Sequence, residues 1–236
     1  NIYLEWKAFF SSNAKKNYHF DLVKQDGFFP YLSENAKDSN VKDLKEFFHI
    51  YDWGRYPKEL SNNTNLLITE FKKMADKLLS EIHNNSPNEV KNSYSMPLNH
   101  MIKDSSTNLL RVIHYPPIND NKVPSAIRAG AHEDINLITL LVAGSEPGLQ
   151  VLSQDNKWVD VSTSSEYIVV NIGDMLQECS GGYFPSTTHR VINPSDKNMS
   201  RYSMPFFVHA RDDVSLSKKY TAKSYLEERL KEIGLK

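Results

Sequence analysis

At 236 residues, with 39% hydrophobic side chains, 12 Tyr and 11 Phe, the chain has the size and composition of a single folded domain and not of a disordered segment. Its formal net charge is −1 and its basic residues come as scattered pairs (Lys15-Lys16, Lys72-Lys73, Lys218-Lys219), which argues against nucleic acid or an anionic membrane as partner. Cys179 stands alone, excluding an intramolecular disulfide and favouring a cytoplasmic location, and no apolar run reaches the roughly 18 residues of a membrane span or forms a signal peptide.

In chain order, residues 2–10 read as a short amphipathic helix, followed by a loop holding Gly27, Pro30 and the polar run 33–44. Residues 63–83 carry the clearest helical period, with Leu67, Phe71, Met74, Leu78 and Ile82 at spacings of three and four. Ser61-Asn62-Asn63 supplies a cap and Asn84-Asn85-Ser86-Pro87 a stop. From Thr107 the texture changes to short β-rich pieces at 109–115, 137–142, 149–152, 157–161, 167–172, 187–192 and 201–209. Their turns fall at 144–148, 154–156 and 193–198. A helix over 221–233, with Ala222, Leu226, Leu230 and Ile233 on one side, closes the chain. Strands at this spacing suggest a jelly roll or a related double-sheet barrel.

The chemistry-bearing pattern is His132-Glu133-Asp134, then His189 57 residues after His132, then Arg201-Tyr202-Ser203. Two imidazoles and one carboxylate are the set that holds non-haem Fe(II) on one face and leaves the other open. Residues i and i+2 of a strand share a face, so His132 and Asp134 reach one ion while Glu133 points away. Arg201 and Ser203 stand in the same relation, and a guanidinium beside a hydroxyl suits a carboxylate ligand.

Several stretches in this order resemble the isopenicillin N synthase-like branch of the Fe(II)/2-oxoglutarate-dependent oxygenases. They are Arg111-Val-Ile-His-Tyr-Pro-Pro117, the run from Gly130 to Leu141, Gly148-Leu-Gln-Val151, Val170-Asn-Ile-Gly-Asp174, Gly182-Tyr183, His189-Arg-Val191 and Arg201-Tyr-Ser203. Gly27-Phe-Phe-Pro30, Glu34-Asn-Ala-Lys37 and Asp43-Leu-Lys-Glu46 resemble its N-terminal region more loosely. The resemblance implies a mainly β fold with flanking helices, a distorted double-stranded β-helix (jelly roll). The chain then divides, within one domain over 1–236, into a mainly helical N-terminal region (1–106), a catalytic core (107–209) and a C-terminal helix (210–236). It implies Fe(II) held by His132, Asp134 and His189, and 2-oxoglutarate held by Arg201, Ser203 and the phenol of Tyr115. O2 is then the oxidant, succinate and CO2 are released, and a small-molecule substrate is oxidised, most simply by hydroxylation.

The substrate pocket is read from Arg128, which shares strand parity with His132 and suits an acidic substrate, from Tyr183 after Gly181-Gly182, from Phe207, which alternates in direction with Phe206, and from Phe28 as part of a lid with Tyr31. Nothing signals an oligomer, so a monomer is assumed. Two departures from the family stand out. Ile113 occupies the place of an Asn usual in plant members, and the chain opens at the first helix without the strand and turn that usually precede it, so a trimmed start is expected. Two alternatives stay open: an oxidase of the isopenicillin N synthase type that uses no 2-oxoglutarate, and a non-catalytic metal- or metabolite-binding module.

Overall fold

Ten strands form two antiparallel sheets in a computed structural model that describes residues 2–34, 41–118, 127–142, 144–162, 164, 166–193 and 198–232. The larger sheet runs β1 (Gly27–Phe29), β2 (Glu46–Ile50), β3 (Leu109–Tyr115), β10 (Arg201–Val208), β5 (Ile138–Val142), β8 (Ile168–Ile172). The smaller runs β4 (Ala129–His132), β9 (His189–Val191), β6 (Leu149–Leu152), β7 (Trp158–Asp160). Together they make the jelly roll, flanked by α1 (Ile2–Ser11), α2 (Asn63–Asn85) and α6 (Ala222–Glu232), with short helices α3 (Asn88–Lys91), α4 (Leu98–Met101) and α5 (Asp174–Cys179). Among the described residues, no helix is long and apolar enough to cross a membrane.

The two faces of the larger sheet do different work. One face packs Phe28, Phe48, Val112, Tyr202 and Phe206 against the helical layer, where Phe206 stacks on Phe71 of α2 at 5.6 Å between ring centroids. The other turns Phe29, Phe47, Ile113 and Tyr115 toward Ala129, Leu149 and Val191 of the smaller sheet. The apolar interior between the sheets holds the cavity described below.

Several features depart from the sequence reading, among them β4 (Ala129–His132), which falls outside the expected strand segments. The region up to residue 106 is not simply helical and irregular: β1 and β2 extend the larger sheet through β3. Every residue of β2 is buried, so it lacks the alternation that marks a half-exposed strand. On α2 the buried line is Thr64, Ile68, Phe71, Ala75 and Leu79, with Leu67, Leu78 and Ile82 at its margin, while Met74 is exposed. Tertiary partners set the buried line: Thr64 accepts from Trp6 Nε1 at 3.0 Å and Phe71 meets Phe206 of the sheet. The expected segments 35–37, 194–197 and Ile233 lie outside the described residues.

Candidate active site

β4 ends on His132, whose Cα partner across the smaller sheet is His189 of β9, and Asp134 follows two residues past the strand end. One donor atom from each of the three lies within 4.8 Å of the other two. His189 Nε2 and Asp134 Oδ1 are 3.7 Å apart. Donors bound to a common transition-metal ion stand roughly 3–4 Å from one another, so the spacing fits an ion between them.

Backbone carbonyls decide which imidazole nitrogens are available. Nδ1 of His132 lies 2.7 Å from the Gly130 carbonyl, and Nδ1 of His189 lies 2.9 Å from that of Thr187. A carbonyl only accepts, so both Nδ1 atoms carry the proton and both Nε2 atoms keep a lone pair. The carboxylate is oriented in the same manner: Asp134 Oδ2 accepts from Thr139 Oγ1 at 2.6 Å and from Asn171 Nδ2 at 2.9 Å, leaving Oδ1 toward the imidazoles. Thr139 and Asn171 are Cα partners across β5 and β8, so one cross-strand pair supplies both donors. Glu133 turns away and accepts from the Thr188 hydroxyl.

Charge follows from position. Burial pushes His132 down to about 4, reinforced by His189 beside it. Burial alone would raise Asp134, but His189, His132 and the two hydrogen-bond donors hold its carboxyl below the usual range. A neutral His132 and an ionised Asp134 at neutral pH are the protonation states that a metal requires, and two imidazoles with one carboxylate are the donor set for non-haem Fe(II) with open positions.

Tyr115, Arg201 and Ser203 line the same cavity as the three donors. Arg201 is 1% exposed, donates from Nε to the Glu146 carbonyl at 2.9 Å, and lies 5.3 Å from the Tyr115 ring centroid. Its Nη1 is buried and has no partner among the described residues. A guanidinium buried in this way, with no carboxylate ion pair among the described residues, is a costly arrangement unless an anion completes it. Gly144 permits it: a Cβ there would fall 2.6 Å from Arg201 Nη2.

The expected pocket residues divide. Phe207 lines the cavity. Arg128 is 1% exposed yet outside the lining, donating to the Met199 carbonyl with its guanidinium 6.0 Å from the Tyr115 ring centroid. Phe28 sits on the helical side of the sheet, 6.3 Å from the Phe10 ring centroid, because parity along β1 sends Phe29 inward instead. Tyr183 is 53% exposed and packs edge-on against Phe184, outside the lining. Residue patterning missed Thr139, Asn171 and Gly144. Asn171 lies within a stretch that carries the resemblance, but its role needs the β5–β8 register.

Comparison with known proteins decides the family. The model of the 2OG-Fe(II) oxygenase superfamily matches residues 106–210. A Caulobacter crescentus protein assigned to the 2OG-Fe(II) oxygenase family is 31% identical, with a TM-score of 0.77 over 97% of this chain and 83% of that one. The chain belongs to the 2OG-Fe(II) oxygenase family. A Shewanella oneidensis protein assigned as an oxygenase is 50% identical, with a TM-score of 0.87 over 99% of this oxygenase-family chain and 85% of its own. Gibberellin 2-beta-dioxygenase 3 of Arabidopsis thaliana is 35% identical over 141 residues, which is 59% of this chain and 40% of that enzyme. The chain spans less than half the length of the curated relatives it matches.

Proposed function

We propose that this chain, acting over 1–236 as one catalytic unit, is a non-haem Fe(II)- and 2-oxoglutarate-dependent dioxygenase. It oxidises a small-molecule substrate, in the simplest case by hydroxylation: substrate, 2-oxoglutarate and O2 give hydroxylated substrate, succinate and CO2. The observation that carries the reading is one cavity lined both by the tautomer-fixed His132–Asp134–His189 set and by the buried guanidinium of Arg201, whose Nη1 lacks a partner among the described residues.

His132 Nε2, His189 Nε2 and Asp134 Oδ1 hold the metal, while Thr139 and Asn171 keep Asp134 oriented. Bound Fe(II) supplies dioxygen activation coupled to oxidative decarboxylation of the 2-oxo acid. Arg201, Ser203 and Tyr115 bind the distal carboxylate of 2-oxoglutarate, and the walls of Ile113, Leu141 and Val191 exclude water from the reacting atoms. Phe207 contacts the substrate. The balanced charge supports a small-molecule substrate over nucleic acid or membrane, and the single cysteine, buried Cys179, supports a cytoplasmic enzyme, with a monomer as the simplest assembly.

Oxygen consumption by the Fe(II)-loaded protein, with and without 2-oxoglutarate, tests the reading. Consumption that depends on 2-oxoglutarate and yields succinate supports it. Consumption without the co-substrate identifies an oxidase instead, and no consumption under either condition, across a broad substrate screen, points to a binding module.

A further inference from the structure

The cavity has a second cationic wall that the iron and 2-oxoglutarate residues do not use. Lys45, immediately before β2, and Arg111 of β3 both line it. Lys45 is 6% exposed, and its Nζ donates to Glu34 at 2.8 Å and to Asp43 at 2.9 Å. Arg111 grips Glu34 with both terminal nitrogens, at 3.0 and 3.3 Å, and donates from Nε to His49 Nε2 at 2.8 Å. His49 accepts there because its Nδ1 donates to the Gln25 carbonyl at 2.8 Å. Both cations flank one buried ring, with Lys45 Nζ 5.8 Å and Arg111 Cζ 4.6 Å from the Phe47 centroid.

The arrangement is polarised. Glu34, Asp43 and His49 are absent from the cavity lining, whereas Lys45 and Arg111 form part of it. The carboxylates therefore hold the cations from outside the lining, and Lys45 and Arg111 are the charged residues that this wall brings to the cavity. Among the described residues, protein groups use two of three Lys45 donors and three of five Arg111 donors. Buried ion networks of this kind often stabilise less than apolar packing would, so their presence on a cavity wall favours a role in recognition. Beside it stand Leu141, Val169, Pro205 and Phe207, an apolar surface; Arg111 Cζ lies 5.5 Å from the Phe207 centroid.

We propose that Lys45 and Arg111 form an anion subsite for the primary substrate, which is a small organic acid. Its carboxylate lies against these two cations and its apolar body against Phe207 and the neighbouring aliphatic wall. The inference rests on the dioxygenase reading above and deepens it by naming the substrate class.

The test is anaerobic calorimetry on the protein loaded with Fe(II) and saturating 2-oxoglutarate. The probes are unbranched and aryl-substituted carboxylic acids from propionate to 3-phenylpropionate, each paired with its primary amide. The visible band of the 2-oxo acid on iron is recorded first: its absence removes the dioxygenase reading, whatever the acids do. With the band present, at least one acid is expected to bind about tenfold or more tighter than its amide, the range for a hydrogen bond to a charged group. The band must persist, because its loss on adding acid marks competition at Arg201 and counts against the subsite. In the Asp43→Asn/Lys45→Met double variant the preference is expected to fall to within about twofold; that variant removes charge in a pair and keeps an oxygen for the Gly130 N–H, 3.0 Å from Asp43 Oδ1. Equal affinity for acid and amide throughout the series in the unaltered protein overturns the proposal and leaves the network as a clamp between the N-terminal segment and the sheet.

Discussion

Each of the three donors proposed to hold iron is aimed by a neutral partner. Gly130 and Thr187 carbonyls hold the imidazoles, and Thr139 with Asn171 holds the carboxylate. Such outer partners typically contribute 10- to 100-fold in metal affinity. Asn171→Ala is therefore expected to weaken Fe(II) binding by about that factor while the fold persists, as read by metal titration alongside circular dichroism. Unchanged iron affinity would show that Thr139 alone suffices. Gly144→Ala acts on the other ligand. Its Cβ competes for the space of Arg201 Nη2, so the Kd for 2-oxoglutarate is expected to rise about tenfold or more with Fe(II) affinity unaltered, the loss of one charge-assisted hydrogen bond. Equal affinity for the co-substrate in the variant would mean that Arg201 relocates at no cost.

At the scale of elements, α2 provides the sharpest test of packing. Leu79 is fully buried and Met74 is on the exposed side, so Leu79→Ala is expected to cost about 2–5 kcal/mol and Met74→Ala no more than about 0.5 kcal/mol. Denaturant melts that rank Met74 above Leu79 would place the buried face where residue spacing alone puts it. That contrast marks what patterning can convey. The strands from Leu109 onward, β4 excepted, were legible because most are short, rich in β-branched or aromatic residues and bounded by turn residues; β4, Ala-Gly-Ala-His, has neither residue type and was missed. HxD, His189 and Arg-x-Ser were legible because family order adds to chemistry. β1 and β2 were not legible, since a strand covered on both faces has no period-two signature, and with β1 unseen the inward residue of the Phe28-Phe29 pair had no parity to fix it. Lys45 was missed for the same reason: its approach to the cavity depends on β2 pairing with β3. Asp134 clusters with His132 and His189 as the i, i+2 relation expects, although it lies just outside a strand and the backbone there is already a loop.

Across the whole molecule, buried histidines tie stability to pH. Burial, with Arg111 close by, pushes His49 down to about 3, and burial pushes His209 down to about 4. Both folded values lie below the ordinary value of about 6.5. The unfolded chain thus takes up protons first as pH falls, and the folded state loses ground from about pH 6.5 downward until each folded pKa is reached. Each histidine contributes a slope of roughly 1.4 kcal/mol per pH unit within that window. The Tm of the metal-free protein is expected to fall steadily between pH 6.5 and 4.5 and to be flat from pH 7 to 8. A His49→Gln variant is expected to show a shallower fall, and a Tm independent of pH down to 4.5 would contradict the assignment.

The molecule as a whole presents two sheets closing on a cavity, with a metal donor set on its walls and a buried guanidinium whose Nη1 has no partner among the described residues. The most direct test is anaerobic titration of the Fe(II)-loaded protein with 2-oxoglutarate, following the weak visible charge-transfer band that a 2-oxo acid gives when it chelates Fe(II). The band is expected to appear and saturate. In Arg201→Ala it is expected to require about 30-fold or more co-substrate, from the 2–5 kcal/mol typical of losing one side of a buried charge pair, with Fe(II) affinity retained. A folded, iron-bound protein that gives no band at millimolar 2-oxoglutarate would contradict the account.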